Sequence, residues 1–128
     1  MPMDLTKDNF EATIENNDIV ILDFWAPWCG PCKSFGPVFE KVAEDYDDIV
    51  FAKINTEEEQ ELGQLFGIRS IPTLTIFREK VAVFSQPGAM QEPALREILD
   101  RVKALDMDEV RQKMVELEKQ QAEEQSQA

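Results

Sequence analysis

The segment Ile19-Val20-Ile21-Leu22-Asp23-Phe24-Trp25 constrains the fold more than any other part of this chain. A near-continuous apolar run rich in β-branched residues marks a strand covered on both faces, because a half-exposed strand would alternate apolar and polar positions. It runs directly into Ala26-Pro27-Trp28-Cys29-Gly30-Pro31-Cys32-Lys33. Proline suits a first helical turn, where a missing N–H costs nothing. The segment therefore reads as a turn that opens a helix over about residues 31–46. Phe35, Val38, Phe39, Val42 and Ala43 form its buried stripe, and Pro37, inside it, is expected to kink it. Asp23 is the anomaly of the strand, a carboxylate among aliphatic neighbours.

Around this unit the chain alternates. Thr6 is expected to cap a helix over 7–16 with Phe10 and Ile14 inward. Residues 49–54 read as a second buried strand. Residues 57–66 read as a short acidic helix with Leu62, Leu65 and Phe66 inward, ended by Gly67 in the left-handed conformation. Strands over 73–77 and 81–85 are joined by Arg78-Glu79-Lys80, a hairpin link without the Gly or Asn that tight hairpins favour. Pro87-Gly88 is a turn, and Pro93 opens a helix to about residue 105 with Leu95, Ile98, Leu99 and Val102 on one side. This order predicts an α/β fold, a central mixed sheet flanked by helices on both faces. The two early strands should be parallel, joined by a right-handed crossover.

We divide the chain into a domain over 1–105 and a C-terminal segment over 106–128. Asp106-Met107-Asp108-Glu109 resembles a capping box for an extra C-terminal amphipathic helix. Met107, Val110, Met114 and Leu117 follow at three-four-three spacing. The polar end, 120–128, is expected to lack fixed structure. Two heptads are too few to specify a coiled coil. Docking of this helix on its own domain, or a loose solvated helix, is the favoured reading, with a partner contact or self-association through it left open.

Composition excludes several classes of function. The formal net charge of −13 opposes nucleic-acid phosphates and anionic membrane surfaces, and no run approaches the roughly 20 apolar residues of a membrane span. The absence of histidine removes every mechanism that needs an imidazole base. The first residues lack a basic stretch followed by an apolar run, which predicts a cytoplasmic protein. Only two cysteines exist, too few for a zinc site unless an ion were shared between chains, so no metal is expected. As a staple, a loop this short would constrain the unfolded chain by only about 2 kcal/mol. The spacing favours chemistry over stapling.

That chemistry follows from position. Helical neighbours three apart start about 5–6 Å apart, whereas disulfide Cβ atoms lie about 3.8 Å apart. The bond can close under constraint, and a constrained, exposed disulfide is readily reduced again. Cys29, just before the helix, meets free backbone N–H groups and the positive dipole end, which favour a thiolate; Lys33 adds positive charge. Cys32, one turn in, is expected to lie further from solvent. Cys29 is thus the attacking nucleophile and Cys32 resolves the mixed disulfide.

The run Asp23-Phe24-Trp25-Ala26-Pro27-Trp28-Cys29-Gly30-Pro31-Cys32-Lys33 closely resembles the active-site segment of the thioredoxin family. The resemblance continues in Ala52-Lys53-Ile54-Asn55, in Phe66-Gly67-Ile68-Arg69-Ser70-Ile71-Pro72-Thr73-Leu74 and in Gly88-Ala89, covering about residues 5–104. It implies the thioredoxin fold and reduction of disulfides in client proteins. It also implies no bound cofactor beyond a redox-active Cys29–Cys32 disulfide, and recharging by thioredoxin reductase, which carries FAD and draws on NADPH. The family is itself a standard instance of a thiol activated by such a setting, so the Cys29 assignment is shared between position and resemblance.

The resemblance further implies that Asp23 accepts the proton of Cys32, with Lys53 tuning its charge. Pro72 would be a cis-proline holding the Ile71 backbone for an incoming peptide. Trp28, Gly30, Pro31, Ile71, Pro72, Gly88 and Ala89 would form the client-binding rim around Cys29. Plain structural roles stand beside these: a hydrogen-bonded Asp23, a snorkelling Lys53 and a Trp25 that only packs. The chain departs from the family in a short amino terminus that truncates the first strand, in Lys80 where glycine is frequent, and in the segment after residue 105. A co-chaperone or assembly module and a net oxidant are the competing functions.

Overall fold

The computed structural model describes residues 1–127, with side chains through Ser126. Its elements in chain order are β1 (Met3–Asp4), α1 (Phe10–Asn16), β2 (Ile19–Trp25), α2 (Gly30–Ala43), β3 (Val50–Asn55), α3 (Gln60–Leu65), β4 (Thr73–Arg78), β5 (Val81–Pro87), α4 (Glu92–Lys103) and α5 (Met107–Gln127). The sheet order is β1-β3-β2-β4-β5. β2 is parallel to β3, with Asp23 opposite Lys53, and antiparallel to β4, with Asp23 opposite Leu74. This is the expected thioredoxin fold, its first strand reduced to two residues.

β2 explains the two-sided core. Side chains alternate across a strand. Val20, Leu22 and Phe24 join Leu5, Ile14, Ala52, Ile54 and Leu62 on one face. Ile19 and Ile21 join Phe35, Phe39, Leu74, Ile76, Leu95 and Leu99 on the face of α2 and α4. Burial at roughly 1.5–3 kcal/mol per large apolar side chain on both faces pins β2 at the centre. Asp23, an odd-numbered position, therefore faces the layer of α2. No helix among the described residues is long and apolar enough to cross a membrane.

Several boundaries differ from expectation for local reasons. α1 begins at Phe10 rather than residue 7, and the Thr6 side chain does not cap it. Instead the Thr6 N–H donates to Asn9 Oδ1 at 2.7 Å, and the Thr6 carbonyl accepts from Phe10 N–H at 2.9 Å, closing a turn first. α2 ends at Ala43, three residues early. α3 is short, and Leu65, expected inward, is 70% exposed. Leu62 and Phe66, four apart, share the inward face, and Phe66 packs on Phe10, Phe24 and Phe77. Gly67 does end α3 with φ +62°. Its N–H reaches Gln64 O at 3.0 Å, and that of Ile68 reaches Gly63 O at 2.9 Å, the paired bonds of a Schellman closure.

The hairpin of β4 and β5 uses a two-residue turn. Arg78 pairs with Val81, leaving Glu79 at φ 50° and Lys80 at φ 70°, the positive angles such turns need. Neither is Gly or Asn, and neighbours supply what holds them. The Glu79 N–H donates to Asp18 O at 2.7 Å, and its carboxylate meets the Arg111 guanidinium of α5. Lys80 lies outside these contacts and is exposed. Lys80→Gly is expected to raise stability by about 1 kcal/mol, read as a higher midpoint in chemical denaturation; a fall would contradict it.

Arg78 sets where α4 stops. Its Nη1 donates to the carbonyls of Val102 at 2.8 Å and Lys103 at 3.1 Å, and to that of Leu105 at 2.6 Å. α4 thus ends before residue 105, its last carbonyls met by a cation. The Asp106 carboxylate then accepts from the N–H groups of Asp108 and Glu109 at 3.1 and 3.2 Å and starts α5. Met107 is buried and Val110 partly so, but Met114, Val115 and Leu117 are exposed. The helix continues through Gln127, against the expectation of an unstructured end from residue 120. Gln, Glu, Lys and Ala are good helix formers, and no Gly or Pro interrupts 107–127. Ala128 lies outside the described residues.

Candidate active site

Cys29 caps α2 in an extended conformation. Its Sγ accepts the Cys32 N–H at 3.2 Å, so one of the orphan donors of the helix start points at this sulfur. Cys29 and Cys32 are joined in a disulfide with Cα atoms 5.2 Å apart, inside the span disulfides accept. The expected contrast in depth is absent: Cys29 is 4% exposed and Cys32 5%. Both pack with Ala26 under Trp25 and Ile71, side chains delivered by β2 and the loop before β4. The two sulfurs differ instead in their partners, since Cys29 Sγ alone takes the helix N–H.

The Ile71–Pro72 peptide is cis, as expected. The Ile71 carbonyl oxygen lies 3.7 Å from Cys29 Sγ, and the Pro72 carbonyl accepts the Gly88 N–H at 2.8 Å. Gly88 holds φ +100°, open to glycine and strained for other residues. Ile71, Pro72 and Gly88 are thus brought to the cysteine pair. The expected rim is uneven. Trp28 is 66% exposed, and Gly30, Pro31 and Gly88 are exposed too, but the Pro72 ring is buried. Ala89, also exposed, lines a separate cleft with Gln86 and Met90. The buried ring acts through the backbone it shapes.

Asp23 is 1% exposed, and its Oδ1 has no hydrogen-bond partner among the described residues, so the plain reading of it as a satisfied structural carboxylate does not fit that oxygen. Burial raises its pKa from 3.8 to about 7, against the opposing pull of the Lys53 ammonium. The in-register pairing puts Lys53 beside it on the same face. The Lys53 Nζ also sits 4.5 Å from the centroid of the Trp25 ring, a cation–π contact. Trp25 thus carries this contact besides packing against the Ala26, Cys29 and Cys32 cluster.

Glu57 was not apparent from sequence. Its carboxylate accepts the Trp28 indole N–H and so orients the most exposed aromatic of the site. The two residues are 29 apart in sequence, and no local pattern links them. Among the described residues no group of three or more His, Cys, Asp or Glu side chains is placed to hold a metal ion.

Comparison with known proteins agrees with this geometry. The thioredoxin family profile matches residues 1–101. A Streptomyces coelicolor protein that carries a thioredoxin name is 57% identical over 114 residues, 89% of this chain and 85% of the relative. Thioredoxin of Porphyra purpurea is 41% identical over 99 residues, 76% of this chain and 92% of the relative. A solved thioredoxin variant from Halobacterium salinarum superposes with a TM-score of 0.74 at 35% identity, covering 78% of this chain and 88% of that one. A disulfide at a helix start beside a cis-proline loop, a buried carboxylate in the strand that leads into it and this similarity along the domain together establish that the chain belongs to the thioredoxin family of thiol–disulfide oxidoreductases, in which the paired cysteines are themselves the redox group.

Proposed function

We propose that this chain reduces client disulfides in two exchanges, with Cys29 attacking and Cys32 resolving. The observation that carries this is the Cys32 N–H donated to Cys29 Sγ at the start of α2, because a backbone donor at a helix N-terminus stabilises a thiolate on that sulfur. In the first exchange the Cys29 thiolate attacks one client sulfur. A new S–S bond forms, the client bond breaks, and the other client sulfur leaves as a thiolate. In the second, Cys32 passes its proton to the Asp23 carboxylate and attacks Cys29 Sγ, expelling the remaining client sulfur. The client gains two electrons, and the chain ends as the Cys29–Cys32 disulfide. Lys53 biases the charge of Asp23. The client strand lies along the Ile71 backbone, against Trp28, Gly30, Pro31 and Gly88, with Pro72 and Ala89 shaping and flanking that edge.

Thioredoxin reductase, using FAD and NADPH, returns the pair to dithiol, and the cytoplasm is the compartment whose thiol pool suits a net reductant. The test is NADPH consumption with that reductase and a protein disulfide such as insulin. Turnover above the reductase alone supports the reading. Failure to reduce insulin, with aggregation suppressed equally by a double Cys→Ser protein, would support a co-chaperone instead.

The working unit is residues 1–105, with 106–128 an appendage. The β4–β5 hairpin that anchors α5 pairs with the start of β2, whereas the cysteines follow its end, about 20 Å away at 3.3 Å per residue. Truncation after Leu105 is expected to leave the insulin rate within twofold and to cost about 1–2 kcal/mol of stability through lost burial of Met107. A tenfold loss of rate would tie the helix to catalysis. The exposed Met114, Val115 and Leu117 of α5 are assigned to contact with a partner, a second copy being the simplest, and sedimentation of full and truncated chains tests this.

A further inference from the structure

A cleft of about 470 Å³ opens beside Cys29, between α3 and residues 68–71, with Trp28 and Ile71 at the end nearer the sulfur. Its apolar walls are Trp28, Ile68 and Ile71, and its polar ones carry the side chains of Gln60, Gln64 and Arg69. No acidic side chain lines it among the described residues. The carboxylate of Glu57, which accepts the indole N–H of the lining residue Trp28, is already engaged.

Two features of this cleft are unexplained by the fold. The first is Arg69. In a chain of net charge −13, the arginines at positions 78, 96, 101 and 111 each join an ion pair, while Arg69 is exposed and joins none among the described residues. Lys33, on the first turn of α2, is likewise exposed and without an ion pair. Exposed Lys80, Lys113 and Lys119 also lack an ion pair among the described residues, so what sets the cleft apart is that it holds the one arginine left unpaired among them. The second feature is Gly63. It lies inside α3, where glycine is less favourable than alanine, and its φ is not positive. A Cβ built there meets nothing within 4 Å. Neither backbone conformation nor a packing neighbour asks for glycine, but a wider cleft does.

We propose that this cleft is a specificity subsite that receives a glutamate side chain of the client, within two residues of the attacked cysteine. The stem lies along Trp28 and Ile71, the space left by Gly63 admits it, and its carboxylate meets the Arg69 guanidinium, with the Gln60 and Gln64 amides as further donors. A carboxylate and a guanidinium match in charge and planar geometry. The subsite thus favours clients carrying negative charge beside the disulfide, even though the whole chain is strongly acidic. This rests on the two-exchange reading above, because the subsite is defined by its distance from Cys29.

The test uses disulfide-bridged peptides identical except at the position two residues before, or two residues after, the attacked cysteine, which carries Glu, Gln or Lys. At one flank the wild-type kcat/KM is expected to be about tenfold higher for Glu than for Lys, with Gln between. The ratio should shrink toward one in 0.5 M salt and in Arg69→Gln. Gly63→Leu, which favours the helix and so folds, should lower kcat/KM for the Glu peptide by about tenfold, chiefly through KM. Equal rates for Glu and Lys at both flanks, or a preference that survives Arg69→Gln, would overturn the subsite while leaving the exchange reading intact. Uncharged hydroxyethyl disulfide separates the two: if wild-type protein reduces neither it nor any peptide, the exchange reading falls and the subsite with it.

Discussion

Cys29→Ser is expected to lower disulfide reduction by at least about 10³-fold, equivalent to about 4 kcal/mol of barrier. A serine hydroxyl is un-ionised near neutrality and cannot form the mixed disulfide, and the helix N–H that meets Cys29 Sγ has no thiolate to stabilise. Cys32→Ser gives a different result. The first exchange still proceeds, but no sulfur is left to expel the client, so a covalent adduct on Cys29 accumulates and is released by added dithiol. Mass spectrometry of the two variants after incubation with an oxidised client separates the roles. An adduct on Cys32 in Cys29→Ser at comparable yield would reverse the assignment. The comparison is informative because burial does not distinguish the two residues; only the hydrogen bond and the position relative to Ile71 do.

Asp23→Ala is expected to raise the stability of the oxidised protein and slow its chemistry at once. Asp23 is buried with one oxygen unpartnered among the described residues, and its pKa rises from 3.8 to about 7. Between about pH 4 and 7 the folded protein therefore holds a proton that the unfolded chain has released. Raising the pH through that window penalises the folded state, and above about pH 7 the penalty stays constant. Three pKa units correspond to at most about 4 kcal/mol. Chemical denaturation from pH 5 to 8 should show stability falling in the wild type, with that part of the fall absent in Asp23→Ala. The same variant should slow resolution of the mixed disulfide about tenfold near pH 7, because the proton of Cys32 loses its acceptor, with the deficit narrowing at higher pH. A wild-type profile that is flat or rises across this window would remove the buried titrating carboxylate from the account. Unchanged resolution in Asp23→Ala would remove it from catalysis alone.

Much of this molecule was legible in local pattern. The run 19–25 reads as an interior strand, and it is buried on both faces because Asp23 is its single polar position. The helix after Cys29, the hairpin and α4 followed from periodicity and proline placement. Some errors arose where a neighbour distant in sequence decided the outcome, and others where the local pattern itself was weighed wrongly. α4 stops early because Arg78 reaches its carbonyls. Leu65 is exposed because α3 turns only one face to the sheet. The end of α5 is helical because helix formers run on without a breaker, where polarity alone had suggested no fixed structure.

Sequence by itself determined the covalent chemistry: two sulfurs three residues apart at a helix start, no imidazole, and a carboxylate in an apolar strand. Tertiary structure alone decided how those groups are tuned. The cis Ile71–Pro72 loop comes from 42 residues beyond Cys29, the Lys53 ammonium arrives through pairing of β2 with β3, and the Glu57 grip on Trp28 and the Arg69 cleft form only once α3 packs beside them. Reactivity belongs to side-chain types and their spacing along one element. Burial, charge balance and the shape presented to a client depend on surfaces from separate elements meeting in space, which no single stretch of chain encodes.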